Sequence, residues 1–403
     1  MLVAWVLCCA CTKPAPETPT GDAVAGEGRV VGRFDGGVIT QAELIEESSR
    51  LRLKAGEALE DVLVERSLLA EEARRAGLHE DATVQAWLRT AEREVLASLG
   101  EALFFDTSLS ADGAVACATC HRPDAAFTDG RAVSRGAFGR QGTRNAPSLM
   151  GLTQTREFFW DGRRTSLEAL VMDPLTTAEE HGLAGESAVL ALVQARHAEG
   201  FARVFPDEGV TQATVAKALV AYLRQLVPAP APFDRFQAGD AQALLPEQRR
   251  GFALFVGRAG CARCHRLEEG AFTDGAYHPG EVPLALVPRQ PDAARNMLGW
   301  DPEARRAAIP ARADVAALGR YAVSLRAADL GRFRTPSLRN VARTAPYMHD
   351  GSVPTLAQAV ERELYYRTSE GLQVGDLTPA DRSSLVAFLQ ALTSPQVPTQ
   401  TAP

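Results

Sequence analysis

Two Cys-x-x-Cys-His segments, Cys117 to His121 and Cys261 to His265, constrain this chain more than any other feature, and each is trailed by Ala-Phe-Thr-Asp-Gly. Two thiols spaced i and i+3 at a helix start can add across the two vinyl groups of one haem. The adjacent histidine then reaches the iron. Zinc would want four ligands from pairs close in sequence, whereas here an entire domain separates them. A redox dithiol would need a strand-helix context that the surrounding pattern lacks. The spacing therefore predicts two covalently bound c-type haems, one on Cys117, Cys120 and His121 and one on Cys261, Cys264 and His265.

The remaining three of the seven cysteines, Cys8, Cys9 and Cys11, lie in the opening segment, so none is left for a structural disulfide. The run Leu2 to Ala10 is apolar but too short to span a bilayer, and it reads as a signal segment. Ala10-Cys11 followed by a Pro/Thr-rich stretch resembles a lipoprotein cleavage site, with Cys11 lipidated and the only membrane contact; an ordinary signal peptide is the alternative. Either implies export to the periplasm. The net charge of −7 argues against a nucleic-acid binder and is compatible with a basic redox partner.

The chain divides into a signal at 1–11, a tether at 12–27, a helical segment at 28–99, two haem units at 100–245 and 246–394, and a tail at 395–403. The fold class expected is all-α, two tandem cytochrome c-like domains preceded by a small helical one. In the first segment "VVGRFDGGVITQAELIEESSRLR" reads as a short strand-like piece and then a helix, with Thr40 and Glu43 as a capping box, and Leu59, Leu63, Ser67 and Ala70 as a further helix stopped by Gly77. This stretch resembles the helical N-terminal part of SurA-type periplasmic foldases. It contains no chemistry of its own, so it reads as a partner-binding module or a spacer. Thr378 and Pro379 mark the start of the last helix. Each haem unit is too sparse in apolar periodicity to fill its own core, a gap a haem would occupy.

The blocks "EALFFDTSLSADGAVACATCH", "GTRNAPSLMGL", "FFWDGRRTSLEAL" and "FRTPSLRNVARTAPYMHDGSVPTLAQAV" resemble the bacterial di-haem cytochrome c peroxidase and MauG family over about 100–394. The resemblance implies a peroxidatic N-terminal haem and an electron-transfer C-terminal haem. It implies a calcium ion held by Asn145, Thr344 and Pro346, and Trp160 between the haems. Glu180 becomes the distal acid/base group, and Pro174 a distal-pocket residue.

Departures from the family pattern carry equal weight. The displaceable loop histidine of the peroxidases falls on Ala137, as in MauG-like members, and a distal glutamine falls on Leu170. The distal ligand of the second haem falls on Glu363, with Tyr365 and Tyr366 close enough that a small shift would present either one. Met348 and His349 are expected to be structural by the family pattern. His79, His181, His197, His278, Met150, Met172 and Met297 are expected to be structural as lone residues.

Three functions follow as expectations. The first is a peroxidase reducing hydrogen peroxide with electrons from a small redox protein. The second is a MauG-like oxidase of Trp or Tyr side chains in a partner protein. The third, an electron-transfer cytochrome alone, predicts two six-coordinate haems, and Ala137 with Glu180 speaks against it.

Overall fold

The computed structural model describes residues 30–34, 37–40, 82–280, 290–369 and 377–395. The expected signal and tether, Glu43 of the capping box, the helix from Leu59 to Gly77, His79 and the tail beyond 395 lie outside these residues. One compact unit takes in the described residues up to Leu99 together with His197–Gly209. The other takes in Gly100–Arg196 and the described residues from Val210 onward.

In the first unit, β1 (Val30–Phe34) pairs antiparallel with β2 (Gly37–Thr40), Phe34 lying opposite Gly37. Where one short strand-like piece was expected before Thr40, two strands are present, and Thr40 ends the second. Asp35-Gly36 between them is the dipeptide that favours tight hairpin turns.

Elsewhere the described chain is mostly helical. Its longer helices are α1 (Ala82–Phe105), α2 (Leu167–Thr176), α3 (Glu186–Val204), α4 (Gln212–Leu223), α5 (Pro246–Val256), α6 (Pro302–Ala311), α7 (Leu356–Ser369) and α8 (Pro379–Gln390). Their ends follow the local chemistry. Ser166 accepts the Ala169 N–H at the start of α2, and Thr378 accepts the Asp381 N–H at the start of α8 with Pro379 at its first position. A short antiparallel pair, β3 (Tyr277–Pro279) with β4 (Arg332–Arg334), adds strand where no strand pattern was expected.

Within the second unit the surroundings of the two Cys-x-x-Cys-His segments, the first and second sequence repeats, share local features. Gly100 on α1 lies so close to α4 that a Cβ there would stand 1.9 Å from the Ala218 carbonyl oxygen. Gly251 on α5 meets α8 the same way, its missing Cβ 1.8 Å from the Ser384 carbonyl oxygen. Each crossing encloses aromatic side chains. Phe104 packs on Phe127 and Tyr222 in the first repeat, and Phe233, Phe252, Phe255, Phe272 and Phe388 pack on one another in the second. Such edge-to-face pairs add to the burial of their large apolar area.

Corresponding positions are 144 apart at the cysteine pairs and 189 apart at the Pro-Ser-Leu segments (Ser148, Ser337), so the second repeat carries a longer intervening stretch. That stretch has its own small core of Ala293, Met297, Ile309, Val315, Leu318, Tyr321 and Ala322. It reaches back onto the first repeat: Thr143 Oγ1 donates to the Ile309 carbonyl at 2.7 Å and Arg144 Nη2 to the Ala316 carbonyl at 2.5 Å.

Helix propensity alone would make Gly→Ala within a helix stabilising by about 1 kcal/mol. At Gly100 and Gly251 the sign reverses, because the methyl group must push two backbones apart. Gly100→Ala and Gly251→Ala are each expected to cost about 1–3 kcal/mol, the usual range of overpacking. Denaturant melts measure this, and Gly299→Ala, with nothing near its missing Cβ, is the neutral control.

Candidate functional site

The two Cys-x-x-Cys-His segments fold alike. Cys117–Cys120 forms a single helical turn and Cys261–Arg263 a tighter one, and all four thiols are free and half-buried. His121 Nδ1 is 3.0 Å from the carbonyl oxygen of Phe127, six residues on, and His265 Nδ1 is 3.0 Å from that of Phe272, seven residues on. Both phenylalanines adopt positive φ, 59° and 53°, which turns their carbonyls toward the histidines. Ser148 and Ser337 each donate to the preceding carbonyl, Ala126 or Ala271, at 2.7 Å. The repeated Ala-Phe-Thr-Asp-Gly is therefore the clamp that fixes each ring and leaves its Nε2 as the nitrogen that could ligate a metal.

Desolvation holds both histidines below their ordinary pKa, so they stay neutral with a lone pair on Nε2. Burial pushes the Cys117 thiol up to about 12, Cys120 to about 11 and Cys261 to about 12. A redox dithiol needs the opposite shift. Cys264, Asp274 and His278 bring ligand atoms within 4.8 Å of one another, with His278 Nε2 on Asp274 Oδ2 at 2.7 Å. The hydrogen bond to Cys264 and that to Asp274 raise His278 to about 9. A metal there would use one thiol of the pair and strand Cys261, whereas thioether attachment uses both. The residues fit a covalently bound haem in each repeat.

Around the first segment the structure gathers several of the expected residues. Pro174 lies within α2, and the turn after it folds back so that the His181 N–H donates to the Pro174 carbonyl at 3.1 Å. Glu180 sits on this turn, and its charge is felt at both Cys117 and Cys120. Desolvation pushes Glu180 up to about 7, with Arg163 opposing and Asp173 and Glu179 adding to the rise. Ala137 is fully buried against the same turn, its N–H donating to the Glu180 carbonyl at 2.7 Å. Leu170 lies half-buried on α2.

Two further side chains lie here: Arg163, which no motif singled out, and His181, expected above to be structural. Arg163 packs its guanidinium 3.4 Å over Phe159 and pairs with Asp161 at 3.1 Å. His181 is buried, with Nδ1 on the Leu109 carbonyl at 2.6 Å and Nε2 3.7 Å from Cys117 Sγ. A lone arginine or histidine in a loop carries no spacing that would single it out.

In the second repeat the residue in register with Pro174 is Glu363, 189 positions on. Its charge acts on Cys261 and His265, and it pairs with Arg367 at 3.0 Å. Tyr365 is 72% exposed and Tyr366 half-buried, their rings 5.4 Å apart.

Trp160 and His349 occupy matching hairpins, closed by the bridges Phe158 to Arg164 and Tyr347 to Val353. Trp160 Nε1 donates to the Asn145 carbonyl at 3.0 Å, and the Asn145 N–H donates to the His349 carbonyl at 2.9 Å. One bonded path thus joins the two hairpins. It also brings Asn145 beside the segment carrying Thr344 and Pro346. Asn145 Nδ2 is used on the Arg131 carbonyl at 2.9 Å, and Thr344 Oγ1 on that of Val341 at 3.1 Å.

His349 stacks on Phe333 at 3.8 Å and faces Arg144 at 3.2 Å; burial, with that cation, lowers it to about 3. Met348 is half-buried beside it with φ of 73°. Met150 is buried and accepts from Asn340 at 3.5 Å. Met172 and Met297 are core residues, and His197 lies half-buried on α3.

Residues 94–242 match the family model described as di-haem cytochrome c peroxidase. A cytochrome-c peroxidase of Denitromonas iodatirespirans is 35% identical over 74% of this chain and 81% of its own. A methylamine utilization protein MauG of Methylophilus methylotrophus is 34% identical over 73% and 82%. Among solved structures, a MauG-like protein associated with microbial copper homeostasis aligns with TM-score 0.60 and 29% identity, over 75% of this chain and 90% of that one. With the repeated histidine clamp, these likenesses place the chain in the di-haem cytochrome c peroxidase and MauG family of oxidoreductases.

Proposed function

We propose that the chain is a di-haem peroxidase that reduces hydrogen peroxide at the first site with electrons drawn through the second. In this reading residues 100–245 and 246–394 are tandem cytochrome c-like domains. Cys117, Cys120 and His121 hold one haem, and Cys261, Cys264 and His265 hold the other. When bound, the haems supply the iron at which peroxide is reduced and the second centre at which electrons are held. The observation that carries the reading is Glu180: a desolvated carboxyl near 7, beside Pro174 and facing the first cysteine pair. A group poised there can take a proton from peroxide on one carboxylate oxygen and return it to the departing oxygen. Pro174 has no side-chain donor or ligating atom, and the Ala137 methyl cannot cap a metal, so this face stays open to a small oxidant.

The second site is closed in this reading by Glu363, whose carboxylate acts on His265, while Tyr365 faces solvent. Trp160, bonded through Asn145 to the second repeat, is the relay between the sites. Asn145, Thr344 and Pro346 remain the proposed calcium ligands, through oxygens other than the Thr344 hydroxyl. Export to the periplasm, with a lipid on Cys11, rests on the opening segment. Among the described residues no helix is long and apolar enough to cross a membrane. Ala137 and the carboxylate at Glu363 also support a second reading, a MauG-like oxidase acting on Trp or Tyr side chains of a partner protein.

The ferric holoprotein is expected to show one high-spin and one low-spin haem by EPR and to react with peroxide without prior reduction. A wholly low-spin, inert protein would sink the proposal. The peroxide step should accelerate as pH rises through about 7, because the carboxylate form of Glu180 is the proton acceptor. Glu180→Gln should keep the high-spin signal, lose this pH dependence and slow the step by about 10²–10⁴.

At the second site, Glu363→Gln should alter the low-spin spectrum, whereas Tyr365→Phe and Tyr366→Phe should leave it unchanged. A change confined to either tyrosine variant would reassign the ligand.

A further inference from the structure

Between Asp129 and Glu157 the chain carries five arginines and no acidic residue, against a net charge of −7 for the whole. Arg144 is the half-buried member; Arg131, Arg135, Arg140 and Arg156 are exposed. Arg131 and Arg135 have no carboxylate partner among the described residues. With Ala132, Val133 and Gln141 they line an open cavity of about 450 Å³. Beside it Phe138 stands 63% exposed, with the Arg140 guanidinium 5.4 Å from its ring centroid.

The loop is held rigidly. The Gly136 N–H donates to the Arg140 carbonyl at 2.8 Å, the Ala137 N–H to Glu180 at 2.7 Å, and the Phe138 N–H to Asp112 Oδ2 at 2.5 Å. Gly136 lies so close to the Glu179 carbonyl oxygen, 2.2 Å from its missing Cβ, that the loop cannot lift without breaking contact. Phe138 adopts φ of 59°, a left-handed conformation that costs a bulky residue energy and that these bonds enforce. Asp112, the acid nearest the ring, is engaged by the backbone N–H groups of Phe138 and Ala114.

An exposed aromatic beside one arginine, on a loop that carries two more without carboxylate partners, has the composition of an interface centre, and pre-organisation lowers the ordering cost of binding. We infer that the 131–141 loop is the docking surface for an acidic partner protein, whose carboxylates pair with Arg131 and Arg135 while an apolar patch receives Phe138. The charge of the whole chain would favour a basic partner; the run of arginines between Asp129 and Glu157 favours the opposite. The partner's role as electron donor or substrate rests on the peroxidase reading, but docking does not.

The experiment measures binding of the oxidised holoprotein, without peroxide, to an acidic and to a basic c-type cytochrome as probes, over a range of ionic strength. The wild type should bind the acidic probe more tightly, with affinity falling as salt rises. Arg131→Glu with Arg135→Glu should weaken that binding at least about tenfold at low salt and flatten its salt dependence. Arg224→Glu with Arg235→Glu, the same charge change at exposed positions elsewhere, should change it less than about twofold. Phe138→Ala should weaken binding about tenfold while leaving the salt slope intact. The inference is overturned if the acidic probe does not bind, or if the Arg131/Arg135 variant binds it as the wild type does. Loss of haem or a shifted haem spectrum in that folded variant would equally overturn it, by assigning the two arginines to the haem.

Discussion

The hydrogen bond from a histidine Nδ1 to the carbonyl of a phenylalanine a few residues downstream is the constraint on which the molecule rests. It needs the phenylalanine to take a left-handed backbone, and Phe127 and Phe272 both do so while buried. That conformation costs energy locally. The cost is offset because each ring is locked into an aromatic core, Phe127 beside Phe104 and Phe272 among Phe233, Phe255 and Phe388. The core thus orients a carbonyl, the carbonyl orients an imidazole, and the imidazole presents its remaining nitrogen. Packing and coordination chemistry are two ends of one short lever.

Built on a duplicated lever, the two repeats differ where they face outward from it. The helix that carries Pro174 has its counterpart in the one that carries Glu363, whose charge acts on Cys261. A residue without a ligating atom and a residue with one occupy the same register. Around Glu180 a desolvated carboxyl is balanced by Arg163, and around Glu363 the carboxylate is held by Arg367. In the proposed reading, asymmetry of function is carried by these few differences between the two repeats.

Much of this was legible in the residues themselves. The cysteine-histidine spacing is short-range and rigid, so it survives translation into structure, and the cap at Thr378 acts within one helical turn. The meaning of Ala-Phe-Thr-Asp-Gly was not legible, because a left-handed phenylalanine has no local cue; only the repetition of the pentapeptide hinted at it. Arg163, His181 and Phe138 act through neighbours that are distant in sequence. The strands at Tyr277 and Phe333 pair across more than fifty residues, beyond any periodicity a three-residue strand can display. The small core around Met297 and Ile309 was hidden for the same reason, its apolar residues being spread over several short turns.

The stretch that reaches from this small core back to Thr143 and Arg144 ties the order of synthesis to the order of folding. The Arg144 side chain is engaged by Ala316 and His349, partners that leave the ribosome or a translocation channel some two hundred residues after it. Until they arrive only Asp161, 3.7 Å away, is there to pair with its guanidinium. The first repeat can close its own aromatic core early, yet the loop that presses on Glu180 leads directly to this waiting arginine. A nascent chain of this protein therefore carries a first repeat with its ring clamp formed and its junction unfinished until Ala316 and His349 have emerged.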